Sequence, residues 1–522
     1  MNTASGARHT LRAIALACTT ALTLPAVADQ GAGHEWTTPA GTVQGTRYSV
    51  LSQITPANVA SMVEEFSFPT NATASHQGQP LVVGNTMYVV TPFPNQLIAL
   101  NLDAPGSARW TYTPGADVYA RGVACCDTVN RGASYADGKI VYNVLDGTTV
   151  AVDAVTGKEV WRTKLGDPTN GETMTMAPLI VNGKVIVGNS GAELGVRGWV
   201  QALNLKNGKP IWKAYNTGPD ADVKIGPKFH AYYAKDQGVD LGATSWPGTL
   251  WQQGGSTSWG WLTYDPDLNL FFHGTANPGV WNPDMRRGDN KWGTSVIARN
   301  PDTGEAVWAY QFTPHDGWDY DSISESIVAD LKIDGIQRRV LTHIDKNGFG
   351  YTLDATTGKV LVADKIGFAV TWAEKINLKT GEPVVNPFMR THQGEITRNI
   401  CPSPLGVKEI SPSAFSPATG LQYVPAINTC INFEGLKALY IAGTPFMGVD
   451  IDFVASPGGF LGELIAWDAA AGKRAWSIQE PLPLYSGVLA TAGNLVFYGT
   501  LDKWFKAVNA TTGEVVFQTQ LE

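Results

Sequence analysis

The chain has 522 residues, 43% hydrophobic and only 16% charged, with a formal net charge of -8. That length allows several domains or one large repeat architecture, and the acidic balance argues against nucleic acid as a partner. With 56 Gly, 31 Pro and 17 Trp, the composition points to many short strands and tight turns.

Residues 1–28 have the pattern of a secretory signal: Arg8 and Arg12, the apolar run Ala13–Leu24, then Ala26-Val27-Ala28 as a cleavage site. The run is too short to span a bilayer, and no later stretch reaches the roughly 18 apolar residues a transmembrane helix needs. The expectation is an exported, periplasmic domain over 29–522, more acidic still because the signal removes two arginines and no acid. Cys18 leaves with the signal. Cys125, Cys126, Cys401 and Cys430 remain, an even number in an oxidising compartment, which implies two disulfides with the connectivity open. CxxCH does not occur, so the chain carries no c-type haem and a one-electron acceptor has to be a separate molecule.

From Ala151 onward one pattern returns. AVDAVTGKEVW (Ala151–Trp161), ALNLKNGKPIW (Ala202–Trp212), ARNPDTGEAVW (Ala298–Trp308) and AWDAAAGKRAW (Ala466–Trp476) share A-x-[DN]-x-x-x-G-x-x-x-W. Thr352–Val362 and Ala507–Phe517 are copies without the Trp, and a weaker copy ends at Trp110. Each reads as a strand ending at Asp or Asn, a turn closed by Gly at positive φ, and a second strand that carries the aromatic. The spacing, about 40–55 residues or twice that, suits four-stranded blades packed around an axis, with the tryptophans as docking residues between them. Ala214–Asn290 breaks the period and is the long insertion expected to line a central site.

Thr313–Ser322, TPHDGWDYDS, places Asp319 and Asp321 two residues apart. In extended chain both point to one face and reach one ion or one substrate proton, although a polar turn with solvated acids has the same spelling. Other stretches keep it company: Glu193 in SGAELGVRG, Asn277 in HGTANPGVW, Trp259 in STSWGW and the adjacent cysteines of ACCDTVNRG.

Together these motifs resemble the pyrroloquinoline quinone (PQQ)-dependent alcohol dehydrogenases, the methanol and ethanol dehydrogenase family, over about residues 35–520. The resemblance implies an all-β, eight-bladed propeller whose last blade is incomplete, since only five residues follow Ala507–Phe517. It implies PQQ held between Trp259 and a vicinal Cys125–Cys126 disulfide, with Cys401–Cys430 as the second bridge. Arg131, Thr175, Ser190, Gly191, Ala192 and Thr257 occupy the cofactor-contacting positions, and Gln77 stands where many members have Glu. Glu193, Asn277 and Asp319 match the metal ligands, and Asp319 also matches the base. Asp321 corresponds to the extra carboxylate of lanthanide-type members, which favours a lanthanide ion, with Ca2+ as runner-up. Lys346 matches the cation beside the reacting quinone oxygen, and Trp281 matches a wall that favours small alcohols. Glu409 stands where the family has Asn or Asp, and Tyr485 replaces a Trp. The implied activity is oxidation of a small primary alcohol to the aldehyde, with electrons passed to a soluble cytochrome c and a homodimer among the arrangements allowed. The competing expectation, from the short C-terminus and the changes at Glu409 and Tyr485, is a non-catalytic propeller that serves as scaffold or binding module.

Overall fold

A computed structural model describes Met1 and residues 31–521. The expected signal at 1–28 therefore lies outside the described residues, apart from Met1. The described chain is built almost wholly from strands, and none of its helices is long and apolar enough to cross a membrane.

Seven sheets, at 81–112, 133–164, 179–215, 262–311, 326–365, 414–480 and 489–520, have four antiparallel strands each in simple neighbour order. Two of them carry an extra strand. Ile225–Ala231, from the insertion, pairs in parallel with Ala306–Gln311, and Tyr48–Ser49 pairs in parallel with Leu489–Thr491. The sixth sheet is interrupted between its second and third strands by an excursion that forms a small three-stranded sheet with Ile396–Ile400.

The repeat signature is a device for docking one blade onto the next. In the turn, Asp153 accepts the N–H groups of Val155 and Thr156, and Asn204 accepts that of Lys206. This local bonding is why Asp or Asn ends the strand. The repeat glycines Gly157, Gly208, Gly304 and Gly513 all have φ between +70° and +76°. Each also lies under the indole of the preceding repeat: a Cβ on Gly208 would sit 2.5 Å from Trp161, and one on Gly304 2.6 Å from Trp212. The indole N–H then reaches over that turn, Trp161 to the Leu205 carbonyl at 2.9 Å and Trp212 to the Pro301 carbonyl at 3.0 Å. Trp308 does the same to Ala355, and Trp476 to Ala510. Glycine is thus required twice, by its dihedral and by the ring laid on it.

Residues 36–49 thread across the innermost strands and tie the blades together. Trp36 exchanges backbone bonds with Val82, Tyr135 donates to Thr37, Tyr264 to Val43, Val328 to Gln44, Phe415 to Thr46 and Ala490 to Arg47. A short stretch therefore touches six of the seven sheets. Its partners come from the far ends of the chain, so no local sequence pattern announces it.

Cys401 and Cys430 form a disulfide, as the resemblance implied. The expected vicinal bridge is not closed in the structure: Cys125 and Cys126 stand as free cysteines with their sulfurs 2.7 Å apart, nearer than two unbonded sulfurs pack. Adjacent Cα atoms are only about 3.8 Å apart, short of the span a relaxed disulfide takes.

Candidate active site

The segment Asp316–Ser322 folds back on itself around Asp316. Its carboxylate accepts the N–H groups of Trp318 and Tyr320, and Arg286, fully buried, donates to its carbonyl. Inside that turn Asp319 takes φ +66°, a left-handed conformation rare for a side-chain-bearing residue. Trp318 and Tyr320 drop into the apolar core on one side. Asp319 and Asp321 face the other way and meet Lys346, whose ammonium lies 2.8 Å from Asp321 Oδ2 and 3.3 Å from Asp319 Oδ2.

The other singled-out residues gather around this pair. Asp321 Oδ1 accepts the backbone N–H of Asn277 at 2.5 Å, joining the insertion to the carboxylate turn. Glu193 sits in the short turn Ala192–Leu194, and its carbonyl is held by the N–H of Phe446 at 2.6 Å. Gly191 before it has φ +119°, and a Cβ there would lie 2.4 Å from the Gly171 carbonyl, so only glycine lets the chain turn so tightly. Arg131 donates to Thr175 at 2.5 Å, Thr175 shares a hydrogen bond with Ser190, and the Arg131 guanidinium lies 4.8 Å from the ring centre of Trp259. Thr257 and Trp259 come from the insertion, as expected for a segment that lines the site.

Electrostatics bind the cluster. Burial, followed by repulsion from Asp321, pushes the Glu193 carboxyl up to about 7. Burial holds Asp319 well above the usual carboxylate range, with Lys346 pulling the other way. Burial works against the Lys346 ammonium, but Asp319, Asp321 and Glu409 outweigh it and its value stays well above normal. Cys125 and Cys126 act first on each other, which raises the one and lowers the other, and the charges of Glu193 and Lys346 reach Cys126 more weakly.

A second signature is the set of buried polar atoms that find no protein partner among the described residues. Asn277 Oδ1, Asp319 Oδ1, Thr257 Oγ1, Arg131 Nε, Gln77 Oε1 and Trp281 Nε1 all belong to it. An unpaired buried polar atom is costly, and the pair Asn277 Oδ1 and Asp319 Oδ1, both next to Asp321, marks a place built for a guest. Two unused oxygens beside carboxylates suit a hard cation, and an arginine with a hydroxyl over an indole suits a flat, anionic ring. Among the described residues no three His, Cys, Asp or Glu side chains stand close enough to hold a metal by themselves. Glu193, Asp319 and Asp321 would therefore have to draw closer around an ion, with the amide oxygen of Asn277 beside them.

Sequence reasoning missed Asp316, Arg286 and Phe446. Asp316 had a readable signal, an Asp two and four residues before the backbone groups it caps. The other two act through distant chain and had none. A cleft of about 760 Å³ is lined by Gln77–Gln79 and Arg131 on one side and by Tyr485, Leu489, Phe497 and Phe505 on the other.

Comparison with known proteins follows the same lines. Residues 36–364 match the family model described as PQQ, glucose/ethanol/alcohol dehydrogenase, beta-propeller domain. The chain is 47% identical over 492 residues to a lanthanide-dependent methanol dehydrogenase of Methylacidiphilum fumariolicum (strain SolV), covering 93% of this chain and 80% of that protein. It is 40% identical over 499 residues to methanol dehydrogenase [cytochrome c] subunit 1 of Methylobacterium organophilum, covering 93% and 80%. Among solved structures, a europium-containing methanol dehydrogenase superposes with a TM-score of 0.92 at 47% identity, covering 94% of this chain and 85% of that one. The chain belongs to the PQQ-type glucose/ethanol/alcohol dehydrogenase beta-propeller family.

Proposed function

We propose that the protein is a periplasmic PQQ-dependent dehydrogenase that oxidises a small primary alcohol to the aldehyde and passes electrons to a soluble cytochrome c. The observation that carries this reading is the convergence of Asp319, Asp321, Asn277 and Lys346 in one buried cluster with oxygens left unpaired. A propeller that served only as scaffold would have no use for such costly groups.

In this reading Glu193, Asn277, Asp319 and Asp321 hold the metal ion. Four ligands of which three are carboxylates favour a trivalent lanthanide over Ca2+, because each added anion needs added positive charge to offset it. When bound, PQQ supplies an ortho-quinone carbon that accepts hydride, with its carbonyl polarised by the ion. Asp319, brought to its ionised form by the neighbouring cations, takes the hydroxyl proton of the alcohol. Lys346 places a positive charge where negative charge develops. Trp259 and Arg131 form the floor and clamp for the flat ring, with Thr175, Ser190, Gly191, Ala192, Thr257 and Gln77 around its edge. Trp281, buried with its indole N–H unpaired, limits the size of the alcohol. The acidic chain, with 46 acids against 38 bases, suits a basic cytochrome as acceptor.

The ring is laid out for eight blades in this reading. Support comes from the cleft, which lies against the last of the seven sheets, lined by its Leu489, Phe497 and Phe505, with Gln77–Gln79 from the stretch that leads into the first. Export by the segment 1–28 follows from its sequence pattern alone.

The deciding experiment is reconstitution of the purified protein with PQQ and either La3+ or Ca2+, assayed with an artificial dye over short primary alcohols. Turnover with La3+ and PQQ together is expected. A protein that retains no PQQ and turns over no alcohol with either ion removes the reading.

A further inference from the structure

Three carboxylates surround the buried Lys346 ammonium. Asp321 Oδ2 is 2.8 Å away, Asp319 Oδ2 3.3 Å and Glu409 Oε1 3.6 Å. The first two are also the carboxylates that the reading above gives to the metal. Asp319 has its unpaired Oδ1 to offer an ion, but Asp321 Oδ1 already accepts the Asn277 N–H, so at Asp321 the ion and the ammonium compete for Oδ2. Like charges so close in a buried site repel strongly, and Lys346 gives up its contact with Asp321 once the ion is in. The remaining carboxylate is Glu409.

Glu409 is held for that purpose. Its second oxygen accepts the N–H of Ile410 at 2.6 Å, which aims the first at Lys346. Its backbone carbonyl accepts from Lys408 Nζ and from Ser324 Oγ, both at 3.2 Å. Lys408 is itself fully buried and paired with Glu325 at 2.7 Å, and Glu325 is fastened by the N–H of Ser413 at 2.8 Å. A buried ion pair with hydrogen bonds on both partners is a rigid mount. From this backbone position the Glu409 side chain is long enough to bring an oxygen to 3.6 Å of the ammonium.

We propose that Glu409 is the receiving partner for Lys346: as a metal ion takes Asp319 and Asp321, the ammonium passes to Glu409, so that ion entry is coupled to the handover of one lysine. Glu409 is then a positioning residue that acts through Lys346. The inference rests on the metal-site reading, and the experiment separates the two.

La3+ alone is titrated by calorimetry into the purified full chain loaded with PQQ, for the unaltered protein, Glu409→Gln, Lys346→Met and the double variant. With Glu409→Gln, La3+ binding should weaken about tenfold, because the ammonium has no other anion to go to. With Lys346→Met, binding should be at least as tight as in the unaltered protein, and adding Glu409→Gln should then cost little. An equal loss from Glu409→Gln in both backgrounds means that Glu409 acts on the ion directly and overturns the handover, as does no loss in either. No La3+ uptake by the unaltered protein overturns the metal site and the handover with it. A crystal structure of the La3+-loaded protein gives an answer that depends on no variant. The Lys346–Glu409 distance should fall below 3.6 Å and the Lys346–Asp321 distance should exceed 2.8 Å; unchanged distances sink the proposal.

Discussion

Asp316 accepts the backbone N–H groups of Trp318 and Tyr320 and so holds Asp319, one residue between them, at φ +66°. The carboxylate proposed as the base is thus aimed by a second carboxylate turned onto the backbone. Asp316→Ala removes two charge-assisted bonds, worth about 1.5–3 kcal/mol each before relaxation. Alcohol turnover should fall by about a hundredfold or more, and the melting temperature should drop. Asp316→Asn keeps an acceptor oxygen and should retain most of both. Equal losses in the two variants would show that the charge, rather than the turn, is what matters.

The repeat glycines offer a cleaner test of the fold. Gly138 and Gly208 both have φ near +70°, but a Cβ on Gly138 meets nothing within 4 Å, whereas one on Gly208 lies 2.5 Å from Trp161. Gly138→Ala should therefore cost only the left-handed penalty of about 1–2 kcal/mol. Gly208→Ala should cost that plus about 1–3 kcal/mol for displacing a packed indole. Urea unfolding of the two variants side by side isolates the docking contribution.

These two sites show what a linear sequence can and cannot carry. The Asp-to-Gly-to-Trp spacing is written inside one hairpin, so the blade and its docking residue were legible before any coordinates. The acid pair, Glu193, Asn277, Trp259 and Arg131 were also legible, each inside a short motif, and the structure brings them together. The clasp at 36–49 was not, because its partners lie from Val82 to Ala490. Nor was the mount Glu325–Lys408 under Glu409, a pair 83 residues apart. The expected Cys125–Cys126 bridge came from resemblance rather than geometry, and the geometry shows two thiols in contact.

Asp321 is the residue on which the proposed preference for a lanthanide rests. It receives Lys346 at 2.8 Å and the Asn277 N–H at 2.5 Å, so it links two ligand-bearing segments as well as adding charge. Asp321→Ala should weaken La3+ binding and La3+-supported turnover by about a hundredfold or more, with a much smaller effect on Ca2+ binding. Metal titrations with each ion, read alongside the dye-linked rate, check this. A variant that loses both ions equally would assign Asp321 a purely architectural part.

The last expectation concerns pH. In the ion-free protein the Glu193 carboxyl is raised by burial from 4.5 to about 7, and Asp316 by burial from 3.8 to about 6. Asp319 is raised as well, also by burial. An unfolded chain releases these protons near pH 4, while the folded chain keeps them to higher pH. Between about pH 4.5 and 7 the native state thus binds more protons than the unfolded one, and stability falls as pH rises. The Glu193 shift alone corresponds to about 3 kcal/mol at its upper bound. Two histidines oppose the trend at the acid end: burial lowers His315 to about 4 and His273 well below its ordinary value, so both favour the fold as pH rises toward 6.5. Above that the histidines are neutral in both states, and melting curves in chelator from pH 6.5 to pH 8 should show a declining midpoint. A bound cation replaces the protons and removes the penalty, so the rise in midpoint on adding La3+ should be larger at pH 8 than at pH 6.5. A pH-independent midpoint in chelator would mean that water reaches these carboxylates and that the site is not closed enough to hold them protonated.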